Sequence, residues 1–445
     1  MITSRTLLRL TFALLPGALA AQAPVTLTLG GAARMAASQS GASAIARTRV
    51  EQADARVRQA RSALFPTISA SAGENERNQN TATFGFSFRD ATGKPVFDPN
   101  GQIIPPVKVI DLRGRAQANL VDLSMNAKLG TVRQQVRVAE AEATGAGDQA
   151  AVTAANAYVR AVRADAALAA RLADSTLAAE LLDIANDQVK AGVGVALDVT
   201  RARSQLSLAH AQLIAARADR DRARLDLRRI IGLDPAATLV LADSLMALPV
   251  GDALPSAEDG TRVAIARRAD IRSANEQKIA AERGVQATRL ERLPTLGLFA
   301  DQGAIGSTSA HLLNTYTWGL QLSVPLFDGF RREGRLDEQR AQVREADVRR
   351  HDLESQAAID VRAALLDLTS ARELLAAAEE RLSLAQQELQ QARERFTAGV
   401  SGNGDVITAS LGINAARTQV VDAHAAYQTA RVTLARAEGT VTELP

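Results

Sequence analysis

"KAGVGVALDVTRARSQL" runs from Lys190 to Leu206, and "TAGVSGNGDVITASLGI" runs from Thr397 to Ile413. Each reads Ala-Gly-Val, reaches Asp-Val six residues after that glycine, and opens into an apolar-periodic run. The two glycines, Gly192 and Gly399, stand 207 residues apart, and the spacing around them repeats. Gly192 to Gly232 and Gly399 to Gly439 are both 40 residues, while Asp122 to Gly192 is 70 and Asp328 to Gly399 is 71. Pro66 to Asp122 is 56 residues against 34 for Pro294 to Asp328, so the first half carries an insertion there. Spacing that agrees over this range marks an internal duplication.

Proline fixes the plan of each half. None occurs between Pro106 and Pro235, and none between Pro325 and Pro445. Because proline breaks helix interiors, both stretches are free to be helical, and they are rich in Ala, Leu, Arg, Glu and Gln. The Gly motif is the one strong interruption in each, so each reads as two long helices joined at that motif. Heptad positions from Leu206 are Leu206, Ala209, Leu213, Ala216, Arg220, Ala223, Leu227 and Ile230. The matching set is Ile413, Ala416, Val420, Ala423, Tyr427, Ala430, Leu434 and Ala437. Only Arg220 breaks the 3-4 apolar pattern of a coiled coil. A continuous helix from about Leu123 to Lys190 would reach about 100 Å at 1.5 Å per residue, far beyond the needs of a globular domain.

Between each marker proline and aspartate the period changes to two. "LRGRAQANL" sets Leu112, Gly114, Ala116, Ala118 and Leu120 against Arg113, Arg115, Gln117 and Asn119. "TYTWGLQLSV" sets Tyr316, Trp318, Leu320, Leu322 and Val324 against Thr315, Thr317, Gln321 and Ser323. "FGFSFR" places Phe84, Phe86 and Phe88 on one face, and "DATGKPVFDPNGQIIPP" (Asp90 to Pro106) has the turn residues of an exposed loop. Such alternation marks strands with one apolar and one polar face. Ten of the 14 aromatic residues lie in or beside these two regions, a concentration like the aromatic girdles of a membrane barrel. The alternation by itself also fits a soluble sandwich with one wet face.

Composition narrows the class. Hydrophobic residues are 47% of the 445, but aromatics are only 3%, which suits thin helix–helix seams better than thick cores. The opening "MITSRTLLRLTFALLPGALAAQA" has Arg5 and Arg9, a short apolar run and Ala18-Leu19-Ala20, the three parts of a secretory signal over residues 1–20. Without those arginines the net charge falls from +3 to +1, which gives nucleic-acid binding no support. The absence of cysteine suits an exported chain independent of disulfides. No later stretch has the ~20 apolar residues of a membrane helix, so any entry into a bilayer is by β-strands.

In order and spacing, these stretches resemble the TolC family of outer-membrane efflux proteins. The resemblance is carried by "LFPTISASAG" and "RLPTLGLFADQG" at helix-to-strand turns, "VPLFDGFRREGRL" at a strand-to-helix turn, the two Gly-Asp tips, and "RRADIRSAN" opening the second half. It implies a mainly α chain with a membrane β portion: two repeats, each a strand pair plus a long coiled-coil helix pair. Three copies would build a 12-stranded β-barrel continued by an α-helical periplasmic tunnel. The expected organisation is a signal at 1–20, a first repeat at 21–233 (strands about 66–121, tip near 192–198), a linker at 234–260, and a second repeat at 261–445 (strands about 294–325, tip near 399–405). The implied function is passive conduction of substrates, in efflux or type I secretion, from a periplasmic adaptor and inner-membrane pump to the exterior.

The resemblance also assigns residues. Gly192, Asp198, Gly399 and Asp405 fall at the periplasmic entrance, where three-fold repetition would set the carboxylates in a cation-attracting ring. An aspartate ahead of an apolar-periodic run is equally an ordinary helix N-cap. Arg113, Arg115, Gln117, Asn119 and Gln321 would face the lumen, and Leu120, Trp318, Leu320 and Leu322 the lipid. Three positions depart from the family pattern: Thr408, Ser401 and Phe396 stand where TolC has a second acid, an arginine and a tyrosine.

Chemistry finds little footing. His210, His311, His351 and His424 are scattered with no second ligand at metal spacing. There is no H-E-x-x-H, G-x-S-x-G or P-loop lysine motif, so no cofactor and no enzymatic activity are expected. The rival reading from another class is a soluble periplasmic coiled-coil adaptor or scaffold without channel activity.

Overall fold

The structure, a computed structural model, describes residues 25–84, 89–98, 100–251, 254–398 and 400–445. The expected signal at 1–20, Phe86 and Phe88, and Gly399 lie outside the described residues. The first repeat comprises β1 (Val25–Leu27), α1 (Leu29–Gln39), α2 (Gly41–Ser62), β2 (Thr67–Asn80), β3 (Ile103–Val121), α3 (Leu123–Lys190) and α4 (Ala196–Ile231). The second comprises β4 (Leu239–Leu241), α5 (Ala257–Arg267), α6 (Ala269–Leu290), β5 (Thr295–Gly306), β6 (Leu313–Ser323), α7 (Arg331–Thr397) and α8 (Asn403–Glu438). The duplication is visible in helix lengths: 11 residues for α1 and α5, 22 for α2 and α6, 68 and 67 for α3 and α7, and 36 for α4 and α8.

Equivalent glycines set these lengths. Gly232 and Gly439 end α4 and α8 in the left-handed region, at φ 76° and 72°. There a side chain would be strained, and the turn returns backbone N–H groups to the last orphan carbonyls. Leu233 N donates to Arg228 O at 2.9 Å, and Thr440 N to Ala435 O at 2.8 Å. The two aspartate markers at the other end differ in role. Asp122 caps α3 by accepting from Met125 N at 3.1 Å. Asp328 instead holds Arg332 at 2.7 Å, and α7 starts after Gly329 and Phe330, both left-handed at φ 70° and 62°.

α3 and α4 pair along one seam and α7 and α8 along another, with α8 also packed on α3. All eight heptad positions from Ile413 are buried, because α8 is flanked by both α7 and α3. Of the set from Leu206 only Ala209, Leu213 and Leu227 are buried, since α4 has α3 on one side and open surface on the other. Alanines carry the closest approaches: Ala32, Ala33 and Ala36 of α1 meet Ala151, Ala154 and Ala155 of α3 in one apolar core. Burial pushes the Tyr158 hydroxyl well above its usual range as it donates to Asp243 at 2.8 Å.

Two boundaries differ from the sequence reading. The expected linker 234–260 contains β4, which pairs in parallel with β1, and its end falls inside α5. The expected loop ends early, because β3 begins at Ile103 and takes in Pro105 and Pro106. Those prolines are tolerated because β3 pairs with β5 only from Ile110 onward, leaving that edge without a ladder to donate into. On the partner strand, Thr81–Phe84 form a 3-10 turn rather than continuing the strand towards Phe84.

Candidate functional site: a two-faced sheet and two helical tips

The four long strands form one antiparallel sheet in the order β2-β3-β5-β6. Residues in register share a face, so the alternation of each strand can be added across the sheet. One face carries the rungs Thr67–Gln117–Phe299–Gly319, Ser69–Arg115–Asp301–Thr317 and Ser71–Arg113–Gly303–Thr315. Asn119 and Gln321 share this face through Gly297. The other carries Ile68, Ala116, Ala300 and Trp318, with Leu298, Leu320, Leu296 and Leu322 nearer the helices. Leu120 is not part of this regular pattern. The β3–β5 register shifts between Asn119 and Val121, and Val121 opposes Leu296 in its place.

The apolar face lies open. Tyr316, Trp318, Leu320 and Leu322 are 74%, 70%, 61% and 66% exposed. Where strands meet helices, Phe65, Leu326, Phe327 and Phe330 are also exposed, with the Phe327 and Phe330 rings edge to face at 5.5 Å. From Tyr316 to Ser323 the strand covers about 23 Å at 3.3 Å per residue, close to the ~25 Å apolar band of a barrel once tilt and the flanking aromatics are counted. Beneath that belt the junction is tied by charge. Burial pushes the Glu291 carboxyl up, but Lys128 at 2.7 Å and Arg335 outweigh it and hold it below the ordinary range. Among the described residues both outer strands, β2 and β6, have one unpaired edge.

At the far ends of the helical hairpins, the two tips close with the same bonds. Val193 N and Gly194 N donate to Gln188 O at 3.0 Å, and Val400 N and Ser401 N donate to Arg395 O at 2.9 and 3.3 Å. Gly192 sits at φ 76° in the first turn. The N-cap expectation for the aspartates is corrected: Val195 and Gly402 occupy the cap positions without a side-chain bond. Asp198 and Asp405 each stand three residues further on, in the first turn, where an acid still complements the helix dipole. They differ in freedom. Asp198 faces Arg201 at 3.8 Å and has a largely covered side chain, whereas Asp405 is exposed with no ion-pair partner among the described residues.

The family departures have a packing consequence. Phe396 is buried with Leu389, Val406 and Ile413. Thr408 bonds back to Gly404 O at 2.9 Å, and the Ser401 hydroxyl is buried without a partner. Links between the two hairpins lie elsewhere: Asn403 to Asp198 O at 3.4 Å, Arg393 to Glu180 at 3.0 Å, and a node around Asp174. Asp174 is 1% exposed and accepts from Arg171 at 3.0 Å and Arg417 at 2.9 Å. Arg171 also reaches Thr418 at 2.8 Å, joining α3 to α8. Nothing in the heptad pattern pointed to this node, since its members are 243 residues apart. Among the described residues no group of three or more His, Cys, Asp and Glu could hold a metal, and no helix is long and apolar enough to cross a membrane.

The chain thus joins a sheet with one polar and one open apolar face to two long antiparallel helical hairpins. The family model for outer membrane efflux proteins matches residues 34–233 and 261–440. The chain belongs to that family, the TolC family. Among relatives, it is 28% identical over 263 residues to the alkaline protease secretion protein AprF of Pseudomonas aeruginosa, covering 55% of this chain and 51% of that one. It is 30% identical over 260 residues to Protein CyaE of Bordetella pertussis, covering 58% and 55%. The matches thus span about half the length of these relatives. The fold is that of the outer membrane protein VceC from Vibrio cholerae, with a TM-score of 0.70, 20% identity, and 92% and 96% of the two chains covered.

Proposed function

We propose that three copies of this chain close into one 12-stranded barrel in the outer membrane. Their helices would form a periplasmic tunnel that passively conducts substrates delivered by an adaptor and an inner-membrane pump. The observation that carries this reading is the sheet itself: a wide apolar face, a polar face and two open edges. An open edge leaves backbone N–H and C=O groups unsatisfied in lipid, and barrel closure is the way to remove it. A soluble sandwich would cover Trp318 and Leu322 with a second sheet, and no such sheet occurs among the described residues. Leu120, Trp318, Leu320 and Leu322 then face lipid, while Arg113, Arg115, Gln117, Asn119 and Gln321 face the lumen. The secretion role in AprF's name favours an export function. Outer-membrane fractionation with a heat-dissociable trimer on a gel tests the reading, and a soluble periplasmic monomer would overturn it in favour of a scaffold protein.

The tips are the periplasmic entrance in this reading. Three copies of exposed Asp405, with Asp198 beside them, would attract cations. Asp405→Ala, alone or with Asp198→Ala, is expected to weaken block by multivalent cations in a planar bilayer while leaving trimer yield intact. The single Asp405 change should carry most of the effect, because Asp198 is already faced by Arg201. Unchanged block and unchanged ion preference in both variants would remove these residues from the gate.

A further inference from the structure

The polar face of the sheet holds two arginines two residues apart, and the fold treats them differently. Arg113 is engaged on every side: its Nε donates to Asp111 at 3.2 Å, one guanidinium nitrogen pairs with Asp301, and the other donates to Thr315 at 3.3 Å. Its side chain is only 15% exposed. Gly303, opposite Arg113 in register, has no room for a side chain, since a Cβ there would come within 2.3 Å of Leu112 O. Arg115 is exposed and has no hydrogen-bond or ion-pair partner among the described residues. Asp301 stands directly across from Arg115, yet its carboxylate is taken by Arg113. On the other flank Arg115 meets Ser69. Because β3 lies inside the sheet, both of its neighbouring strands come from its own chain, and assembly places no further strand beside it.

We propose that Arg115 is a solute-contacting cation of the barrel lumen, and that it receives carboxylate or phosphate groups of anionic cargo passing through the membrane section. This rests on the channel reading above, which puts the polar face inside. Between the Gln117 and Asp111 rungs the face carries Asp111, Asp301, Arg113 and Arg115, two charges of each sign. Two carboxylates surround Arg113, so that cluster is net negative and Arg115 alone offsets it. Charged side-chain rings of this kind set pore preference. Loss of Arg115 leaves one uncompensated negative charge per copy, while loss of the Asp301 charge leaves one positive.

The test is the reversal potential of purified full-length trimers in a planar bilayer under a KCl gradient. Arg115→Gln is expected to raise cation over anion permeability by roughly tenfold, since one unit charge about 6 Å away in water shifts a permeating cation and a permeating anion about threefold each, in opposite directions. Arg115→Lys should restore the wild-type value, and Asp301→Asn should shift it towards anions. All shifts should shrink as salt is raised. Wild-type channels whose selectivity is unmoved by Arg115→Gln, or moved towards anions, would overturn the inference while leaving the channel reading standing. Wild-type protein that forms no channels would overturn both.

Discussion

Leu322→Arg is expected to abolish most trimer assembly, whereas Gln321→Arg, one residue away, is expected to assemble normally. The two side chains lie on opposite faces of β6: Leu322 opposes Leu296 on the apolar face, and Gln321 opposes Gly297 on the polar face. Leu322 falls on the helix side of the apolar band, between the Tyr316–Trp318 pair and the Phe327–Phe330 pair. An arginine on the lipid face costs about 2–4 kcal/mol per copy at the midplane and less towards the interface, and a trimer would incur the cost at this depth three times. Gln321→Arg would add a charge to a wet lumen instead, altering conductance. Trimer recovered from outer membranes reads the difference, and equal tolerance at both positions would show that the register is assigned to the wrong faces.

The second large effect is expected far from the sheet, at Asp174. Breaking a buried ion pair by removing one partner costs about 3–5 kcal/mol, because the remaining charge is left without compensation. Arg171 and Arg417 keep 24% and 27% of their side-chain surface. Water can therefore reach them, and the low end, about 3 kcal/mol, is the expectation for Asp174→Ala. Asn414, with its amide turned to donate, reaches the same carboxylate at 2.6 Å, so Asp174→Ala also frees a polar group. The variant should lower the temperature at which trimers dissociate in detergent, and Asp174→Asn should lower it less. Trimer stability identical to wild type would show that the node does not hold the two hairpins together.

What the residues disclosed by themselves was whatever depends on short period or fixed spacing. The 40-residue interval from Gly192 to Gly232 reappears as two helices of identical length, since both ends are marked by a left-handed glycine or an equivalent turn. Alternation around Arg113 and Trp318 gave the two faces, because strand side chains have a period of two wherever the strand runs. Features that depend on pairing between distant segments stayed hidden. Arg113 and Arg115 are alike in alternation, and only the register with β5 gives Asp301 to one of them. The bulge at Leu120 follows from how two strands meet, which neither strand records alone. Asp198 and Asp405 looked like caps because an acid before an apolar run is the ordinary cap signal; their helices start two residues earlier, at Ala196 and Asn403.

Closure between copies is the central claim, and cysteine cross-linking tests it most directly because the chain contains no native cysteine. Ser69→Cys on the open strand β2 would be paired in turn with Thr315→Cys, Thr317→Cys or Gly319→Cys on the open strand β6. All four positions lie on the polar face. If the edges of neighbouring copies meet, oxidation of one of these double variants in outer membranes should give covalent dimers and then a closed covalent trimer, with no larger species. Monomers after oxidation of every pair, or a ladder extending beyond the trimer, would contradict a barrel closed by three chains.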